Sequence, residues 1–390
     1  MRLVPGIVIA VTALVLSGCS SGDNSSTQSA QTSSGSPSSS STTTAPPITA
    51  PAQQDCAAGY LSQFTLRQKL AQLLTVGVTG EADAENVVKT EQIGGIFIGS
   101  WTDKAMLAQH QVDAVQKASR TPLMVTIDEE GGRVSRAKDL IGAAPSARVI
   151  AQTMSPDEFY TFSLDRAQKL KALGVTVDFA PDTDVSSQPD DSVIGDRSFS
   201  DDPDVVVQYA GAFIRAFKDA GVGSVMKHFP GHGSGSGDSH TGAVQTPPLD
   251  QLQNKDLVPF RNLVDSGAAV MVGHLDVPGL TTPNVPASIS PQAMALLRQG
   301  TGYGAAPFDG VIFTDDLGGM AAITNRMSIE DAVEAALIAG ADNALWITTD
   351  AVPKVLDRLV DAVNGGRLPG AQVDASVLRM AKFKGSAPHC

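Results

Sequence analysis

Residues 310–316 read Gly-Val-Ile-Phe-Thr-Asp-Asp, an apolar run that ends abruptly in two acidic residues. Seven more short apolar runs follow the same pattern, at residues 73–78, 94–99, 122–128, 175–181, 222–229, 269–275 and 341–347. They are rich in Val, Ile, Leu or Phe, and apolar residues follow one another instead of alternating with polar ones. This pattern is typical of parallel strands that are buried on both faces.

Helix signals separate these runs. Ser328 is a good N-cap residue, acidic residues follow it at 330 and 331, and Gly340 stands where that helix would end. Residues 208–220 and 353–363 carry apolar side chains at helical spacing. Eight alternations over about 330 residues predict an α/β protein with a single (β/α)8 TIM-type barrel. A doubly wound open sheet is the structural alternative, but no GxGxxG motif follows the first run, which weakens its nucleotide-binding version.

The first 18 residues have the features of an export signal. Arg2 precedes an apolar stretch at residues 7–16, which is too short to cross a bilayer core of about 30 Å. Leu16-Ser-Gly-Cys19 resembles a bacterial lipobox, which implies cleavage before Cys19 and lipidation of its thiol. We predict a lipoprotein signal peptide at 1–18 and an exported protein, lipid-anchored to the outer face of the cytoplasmic membrane. The alternative is an ordinary cleaved signal with an incidental cysteine.

The next segment is low in complexity. Ser, Thr, Pro, Gln and Ala dominate residues 20–51, with Asp23 as the single charged residue. Such a composition predicts a disordered linker at 19–52, ahead of a barrel domain at 53–390. If Cys19 carries lipid, Cys56 and Cys390 remain, one at each end of the domain. We predict that export allows these two to form a disulfide; two free thiols are the alternative.

Composition narrows the classes of partner. Hydrophobic residues make up 42% of the 390 residues, the net charge is −13, and the mean hydropathy is +0.01. The hydropathy excludes a multi-span membrane protein. The acidic charge argues against a nucleic-acid partner and against basic docking on anionic lipid. We expect a monomer that contacts the membrane through its lipid anchor only.

In a barrel, active groups lie just past the carboxyl ends of the strands. Polar clusters lie at the ends of the apolar runs, at residues 128–136, 194–199, 227–240 and 314–316, and His274 is the penultimate residue of the sixth run. His228 and His232 have the spacing of a zinc motif, but Pro230 and Gly231 would break the helix that such a motif needs. We therefore predict no metal and no other cofactor.

Asp238 and His240 form the most suggestive pair. A carboxylate two residues before an imidazole on one loop can fix its tautomer and raise its basicity. The predicted barrel domain at 53–390 contains no GxSxG motif that would supply a serine nucleophile, so Asp315, at a strand end, is the leading candidate. A carboxylate nucleophile with a separate proton donor is the logic of a retaining glycosidase. The alternative is that Asp315 is structural and that Glu129 and Glu130 are solvated.

Several motifs together resemble glycoside hydrolase family 3, in its β-N-acetylglucosaminidase branch, over about residues 60–384. The strongest is Lys-His-Phe-Pro-Gly-His-Gly at 227–233, followed by Asp-Ser-His at 238–240; further blocks lie at 130–134, 195–199 and 313–317. With the lipobox, the chain is similar to actinobacterial lipoprotein members of that branch. The resemblance implies that Asp315 is the nucleophile and that His240 is the general acid/base, with Asp238 as its partner. It also implies that the sugar hydroxyls are held by Asp128, Arg136, Arg197, Lys227 and His228.

The resemblance further implies a retaining exo-β-N-acetylglucosaminidase that releases terminal GlcNAc from peptidoglycan (muropeptide) fragments. A β-glucosidase or a GlcNAc phosphorylase of the same fold is one alternative, and a non-catalytic lipoprotein that binds cell-wall sugar is another. Two segments depart from the family pattern. The loop at 233–237 reads Gly-Ser-Gly-Ser-Gly and is expected to be mobile. Gly318 and Gly319 follow Asp-Asp-Leu where a Ser-Met is expected.

Overall fold

The computed structural model describes residues 52–387. The predicted signal peptide at 1–18, the lipidation of Cys19 and all of the predicted linker except Ala52 lie outside the described residues. Cys390 also lies outside them, so the Cys56–Cys390 disulfide stays a prediction. Ala52 opens the first helix of the structure.

All eight apolar runs contain a strand, although each strand is no longer than its run. The strands are β1 (Leu74–Gly77), β2 (Gly95–Ile98), β3 (Met124–Ile127), β4 (Val177–Asp178), β5 (Gly223–Phe229), β6 (Ala269–Val272), β7 (Ile312–Thr314) and β8 (Ala344–Trp346). Two short strand pairs lie outside this set: Glu129–Gly131 with Val134–Ser135, and Val244–Gln245 with Leu275–Asp276.

The strands form one parallel sheet in the spatial order β7-β6-β5-β4-β3-β2-β1-β8. The two ends of this order meet, because Phe313 in β7 forms a parallel bridge with Asn343, just before β8. The Thr314 N–H donates to the Asn343 carbonyl at 3.0 Å. A doubly wound sheet would place β1 in the interior of an open order. The sequential order and the closing bridge confirm the predicted (β/α)8 barrel.

Helices surround the barrel. The α-helices are Ala52–Leu61, Leu66–Ala71, Glu81–Glu91, Ala105–Ala108, Val112–Ala118, Lys138–Ile141, Ala147–Thr153, Pro156–Ala172, Pro203–Ala220, Leu249–Leu252, Val258–Leu263, Pro291–Gln299, Ala321–Thr324, Ile329–Ala339, Val352–Asn364 and Gly370–Phe383; the 3₁₀-helices are Gly195–Arg197, Ala287–Ile289 and Thr301–Tyr303. The predicted cap is confirmed, since the Ser328 side chain accepts from the Asp331 N–H at the start of Ile329–Ala339.

Aromatic side chains fill the barrel core. The Phe179 ring lies 5.8 Å from that of Phe97 and 5.4 Å from that of Phe313. Phe383, from the last helix, packs 5.9 Å from Phe313 and touches Gly223 at the amino end of β5. Phe383 therefore packs at the amino end of the barrel, opposite the carboxyl ends that carry the predicted site residues. Among residues 52–387, no helix is both long enough and apolar enough to cross a membrane.

Candidate active site

A cavity of about 290 Å³ opens at the carboxyl ends of the strands. Seven of the eight predicted catalytic and sugar-binding residues line it: Asp128, Arg136, Arg197, Lys227, His228, His240 and Asp315. The eighth, Asp238, reaches the cavity through its contact with His240. Residues as far apart in the sequence as Asp128 and Asp315 therefore share one site.

Asp315 directly follows β7 and is 7% exposed. Its Oδ1 accepts a hydrogen bond from the Asp316 N–H at 2.9 Å, which orients the carboxylate. Burial works to raise the pKa of Asp315. Electrostatic attraction, first from His228 and then from His274, acts in the opposite direction, and the net effect is a lowered pKa. The carboxylate is therefore ionised near neutral pH, as a nucleophile must be.

Asp238 and His240 form the predicted pair. Asp238 Oδ1 accepts from the His240 N–H at 2.9 Å and lies 2.8 Å from His240 Nδ1. Burial works to raise the pKa of Asp238, but these two hydrogen bonds lead the effects that lower it. The ionised carboxylate holds Nδ1 as the protonated ring nitrogen and leaves Nε2 for proton transfer with a substrate.

The Gly-Ser loop that carries this pair is tied down at both sides, although its glycine content predicts mobility. Ser236 exchanges backbone hydrogen bonds with Gln245, and the Gln188 side chain donates to the Gly235 carbonyl. The Ala322 N–H donates to the Ser239 carbonyl at 3.0 Å, which joins this loop to the segment after Asp315. The departure at Gly318 and Gly319 therefore leaves this connection in place.

A buried ionic network forms one wall of the cavity. Lys227 Nζ lies 2.8 Å from Asp128 Oδ1 and 2.5 Å from Glu130 Oε1. Glu130 also receives two hydrogen bonds from Arg197, at 2.8 and 2.9 Å. Burial opposes ionisation of Glu130, but Arg197 and Lys227 outweigh burial and hold its pKa far below the usual range. The alternative that Glu130 is solvated is wrong, because its side chain is only 5% exposed.

His228 is held from beneath by Asp184. His228 Nδ1 lies 2.7 Å from Asp184 Oδ2, and the His232 N–H donates to Asp184 Oδ1 at 2.6 Å. Burial works to raise the pKa of Asp184, but His228 and His232 lower it to about 2. The carboxylate therefore fixes the His228 ring so that Nε2 faces Arg197, 3.5 Å away.

One group of side chains has the proximity of a metal site. Ligand atoms of Asp182, Asp184 and His228 all lie within 4.8 Å of one another. However, Asp184 is hydrogen-bonded to His228, and the Arg197 guanidinium lies 3.3 Å from Asp182 Oδ2. A guanidinium beside these carboxylates already supplies the positive charge that a cation would bring.

His274 is excluded as the proton donor by its hydrogen bonds. Its Nε2 lies 2.8 Å from the Asp316 carbonyl, which can only accept, so Nε2 carries the proton. Nδ1 then accepts from the Ser288 hydroxyl at 2.7 Å. Burial works to lower the pKa of His274, and attraction from Asp315 leads the effects that oppose it. Both nitrogens are occupied within the protein, so His274 positions the loop after β7.

Sequence reasoning gave no role to Asp184 or Asp316, although both lie at the carboxyl ends of predicted strands, where active groups are expected. Asp184 follows the fourth apolar run in Pro181-Asp-Thr-Asp184, and Asp316 is the last residue of the seventh. Trp101 also lines the cavity and follows the second run. The expectation that active groups follow the carboxyl ends of the strands identifies these positions, but it does not show which residue each side chain contacts.

The comparisons with known proteins agree with this geometry. Residues 65–383 match the Glycosyl hydrolase family 3 N terminal domain. The chain belongs to glycoside hydrolase family 3. It is 50% identical over 387 residues to Beta-hexosaminidase LpqI of Mycobacterium tuberculosis, covering 98% of this chain and 97% of that protein. The resemblance to the actinobacterial members of this family is confirmed.

Solved structures of the family have the same fold. M. tuberculosis LpqI superposes with a TM-score of 0.83 at 53% identity, covering 86% of this chain and 98% of that one. A family 3 glycosyl hydrolase from Mycobacterium smegmatis gives 0.82 at 56% identity, covering 85% and 99%. A family 3 beta-N-acetylglucosaminidase from Paenibacillus gives 0.76 at 31% identity, covering 83% and 62%. The chain is therefore a glycoside hydrolase.

Proposed function

We propose that this glycoside hydrolase is a retaining exo-β-N-acetylglucosaminidase acting on peptidoglycan (muropeptide) fragments. The observation that carries the proposal is that Asp315 and His240 line one cavity and that Asp238 holds the His240 ring. Relatives that are named beta-hexosaminidase and beta-N-acetylglucosaminidase support the choice of sugar. A cavity of about 290 Å³ fits a single sugar ring, which favours action at chain ends.

The reaction is a double displacement. The Asp315 carboxylate attacks the anomeric carbon, the bond from that carbon to the leaving oxygen breaks, and His240 Nε2 gives a proton to that oxygen. Neutral His240 then takes a proton from water, whose oxygen displaces Asp315 from the anomeric carbon. Two inversions give net retention.

The ionic wall supplies the sugar-binding groups. Asp128 and Glu130 accept hydrogen bonds, whereas Lys227 and Arg197 donate them, so vicinal hydroxyls find both kinds of partner. Because Glu130 ties Lys227 to Arg197, the wall is arranged before substrate enters. Such preorganisation lowers the cost of orienting the sugar.

The function is tested with aryl glycosides. We expect wild-type protein to release the phenol from an aryl β-N-acetylglucosaminide far faster than from the β-glucoside, and Asp315→Asn to release none. Proton NMR of the first product should show the β-anomer. Faster turnover of the glucoside would favour a β-glucosidase, formation of a sugar phosphate in phosphate buffer would favour a phosphorylase, and sugar binding without any turnover would favour a binding lipoprotein.

We also propose that the chain is exported and anchored by lipid on Cys19, acting as a monomer. The lipobox at residues 16–19 and the low-complexity segment after it support this. Wild-type protein should partition with membranes and require detergent for release, whereas Cys19→Ala should be recovered without detergent. Equal partitioning of the two would contradict the anchor.

A further inference from the structure

Glu129 is a buried carboxylate that the double displacement does not use. Its side chain is 1% exposed, so the alternative that Glu129 is solvated is wrong. It stands between Asp128 and Glu130, which both line the catalytic cavity. Because successive side chains of a strand point to opposite faces, Glu129 points away from that cavity, toward the helix Pro156–Ala172. A buried carboxylate needs hydrogen-bond donors, and these donors show what Glu129 holds.

Two of the donors flank one residue of the catalytic cavity. The Ser135 hydroxyl donates to Glu129 Oε1, and the Ala137 N–H donates to Glu129 Oε2 at 2.7 Å. Ser135 and Ala137 come directly before and after Arg136, whose side chain lines the cavity. The two oxygens of one carboxylate therefore hold the chain on both sides of Arg136.

The Glu129 carboxylate is itself fixed by two neighbouring elements. From the helix Pro156–Ala172, Arg166 Nη2 donates to Glu129 Oε1 at 2.7 Å, and Arg166 Nη1 donates to the Gly142 carbonyl at 2.9 Å. The Glu129 N–H donates to Oδ1 of Asp178, in β4, at 2.9 Å. Arg166 and Asp178 are 7% and 0% exposed. Because both anchors are buried, Glu129 has little freedom to move.

The Arg136 side chain has no such support of its own. Its Nε is buried without a hydrogen-bond partner, and no described residue forms a hydrogen bond or an ion pair with the rest of its guanidinium. A buried donor without a partner costs free energy, which a sugar hydroxyl in the cavity would restore. The place of the guanidinium therefore depends on how the backbone at residue 136 is held.

We propose that Glu129 is a positioning residue for Arg136, which fixes the guanidinium in the catalytic cavity before a sugar binds. Glu129 acts through Ser135 and Ala137 and does not touch the substrate. A guanidinium that is already in place binds a hydroxyl without the entropic cost of ordering the loop. The inference rests on the proposed function, in which Arg136 binds the sugar, and extends it to a residue outside the cavity.

The test is a double-mutant cycle between Glu129 and Arg136, measured as kcat/KM on an aryl β-N-acetylglucosaminide. Glu129→Gln replaces one acceptor oxygen by an amide and so releases at least one side of Arg136. kcat/KM should fall by up to about 100-fold, which a displacement of about 1 Å can cause. In the Arg136→Ala background the same substitution should cost less than about threefold, because no guanidinium is left to position. A purely structural role would give the same loss in both backgrounds.

Asp342 provides the matched control, at the amino end of the barrel. It lies two residues before β8, is 0% exposed and does not line the catalytic cavity. Like Glu129, it accepts from a serine hydroxyl, a backbone N–H and an arginine: Ser376 at 2.7 Å, the first residue of β7 at 2.9 Å, and Arg298. Asp342→Asn should lower the free energy of unfolding, but its effect on kcat/KM should be the same with and without Arg136.

Ser135→Ala is a milder variant, which serves if Glu129→Gln does not fold. It removes one of the two flanking hydrogen bonds and leaves the buried ion pair of Glu129 intact. Its kcat/KM should fall several-fold, and only when Arg136 is present. Ser376→Ala removes the equivalent hydroxyl of the control site, and its effect should not depend on Arg136.

Two results would overturn the inference. One is an equal loss of kcat/KM with and without Arg136, in Glu129→Gln or, where that variant does not fold, in Ser135→Ala. The other is a wild-type kcat/KM in Arg136→Ala, because there would then be nothing to position. Failure of the wild-type protein to cleave any N-acetylglucosaminide would instead refute the proposed function, and the cycle would still be measured on the aryl glycoside that the protein does cleave. The two failures are therefore distinguishable.

Discussion

Asp315 takes part in both steps of a double displacement, whereas His240 matters only as much as the leaving group needs a proton. Asp315→Asn should therefore abolish turnover of every substrate. General acid help is worth about 10²–10⁴-fold, so His240→Ala should slow disaccharide cleavage by that order but hardly slow glycosylation by an activated phenyl glycoside. Pre-steady-state rates across aryl leaving groups of increasing pKa measure this dependence.

Asp238→Ala provides the matched comparison. Asp238 holds Nδ1 of His240 but does not touch the leaving group, so its removal should give a weaker form of the same dependence. If His240→Ala slowed glycosylation equally for every leaving group, His240 would not be the acid. His232, whose Nε2 is buried without a partner among the described residues, would be the next candidate.

Glu130 shows how one buried carboxylate holds two cations. Glu130→Gln keeps the shape of the side chain but removes the charge that faces Lys227 and Arg197. Breaking a buried ion pair costs about 3–5 kcal/mol, and the remaining pairs with Asp128 and Asp182 should keep the loss near the lower end. Urea unfolding measures the loss, and KM for an aryl glycoside should rise with it.

The exposed helical pair Lys89–Glu85 is the control for this prediction. Because such pairs contribute about 0.3–0.5 kcal/mol, Glu85→Gln should hardly change the free energy of unfolding. If Glu85→Gln and Glu130→Gln lowered the free energy of unfolding equally, the ion pairs of Glu130 with Lys227 and Arg197 would stabilise the protein no more than an exposed pair does.

At the scale of elements, the Gly-Ser loop is held by Asp256, a buried residue that does not line the catalytic cavity. Asp256 Oδ2 accepts from the Ser234 hydroxyl at 3.0 Å, and Oδ1 accepts from the Ser234 N–H at 3.3 Å. At Gly231, with φ of +134°, a Cβ would come within 2.3 Å of Asp256 Cβ, so this approach requires glycine. Burial raises the pKa of Asp256 to about 6, with repulsion from Asp184 adding to it and Ser234 and Lys255 opposing it.

This shift gives a signed pH dependence. The folded protein binds the Asp256 proton more tightly than the unfolded chain, whose carboxyl has the ordinary pKa of about 3.9. The contribution of this group to the free energy of unfolding therefore falls as pH rises from about 4 to 6, by about 3 kcal/mol in all. Asp256→Asn should remove this slope and be more stable than wild type at pH 7, as measured by urea unfolding at several pH values.

Asp256→Ala separates positioning from charge. Without any acceptor for Ser234, the loop that carries His240 should loosen, and kcat for a disaccharide should fall more than kcat for an activated aryl glycoside. An unchanged ratio of the two in Asp256→Ala would mean that Asp256 serves the fold alone.

The barrel strands could be predicted because a parallel strand that is buried on both faces is a continuous apolar run in the sequence, whichever strands it pairs with. Strand bounds were less accurate, as in β4, where a predicted run of residues 175–181 shortens to Val177–Asp178, just ahead of Pro181, which has no N–H. The site was predicted from rim positions and the family resemblance. Contacts such as Glu130 with Arg197, 67 residues apart, could not be predicted, because no local pattern encodes which two loops meet.

At the scale of the whole molecule, the folded part of the chain that is needed for catalysis begins ahead of the family match. The match to the family starts at residue 65, but the helix Ala52–Leu61 packs against the last helix, Gly370–Phe383. Further on, Arg67 lies 3.1 Å from Glu91 and 2.5 Å from Asp357, which joins the first helices to the outer ring. The unit thus includes helices ahead of β1.

A chain beginning at Gln53 should therefore fold and keep the kcat of the full chain on an aryl glycoside. A chain beginning at Gln68 is the matched control. It loses Arg67 and the capping box of Thr65, whose removal costs about 1 kcal/mol, so its Tm should drop while the Tm of the longer chain does not. Calorimetry and initial rates check both. A large loss of activity on small substrates in the chain beginning at Gln53 would show that the low-complexity segment contributes to the site, since every described contact of Asp315 and His240 is retained in that chain.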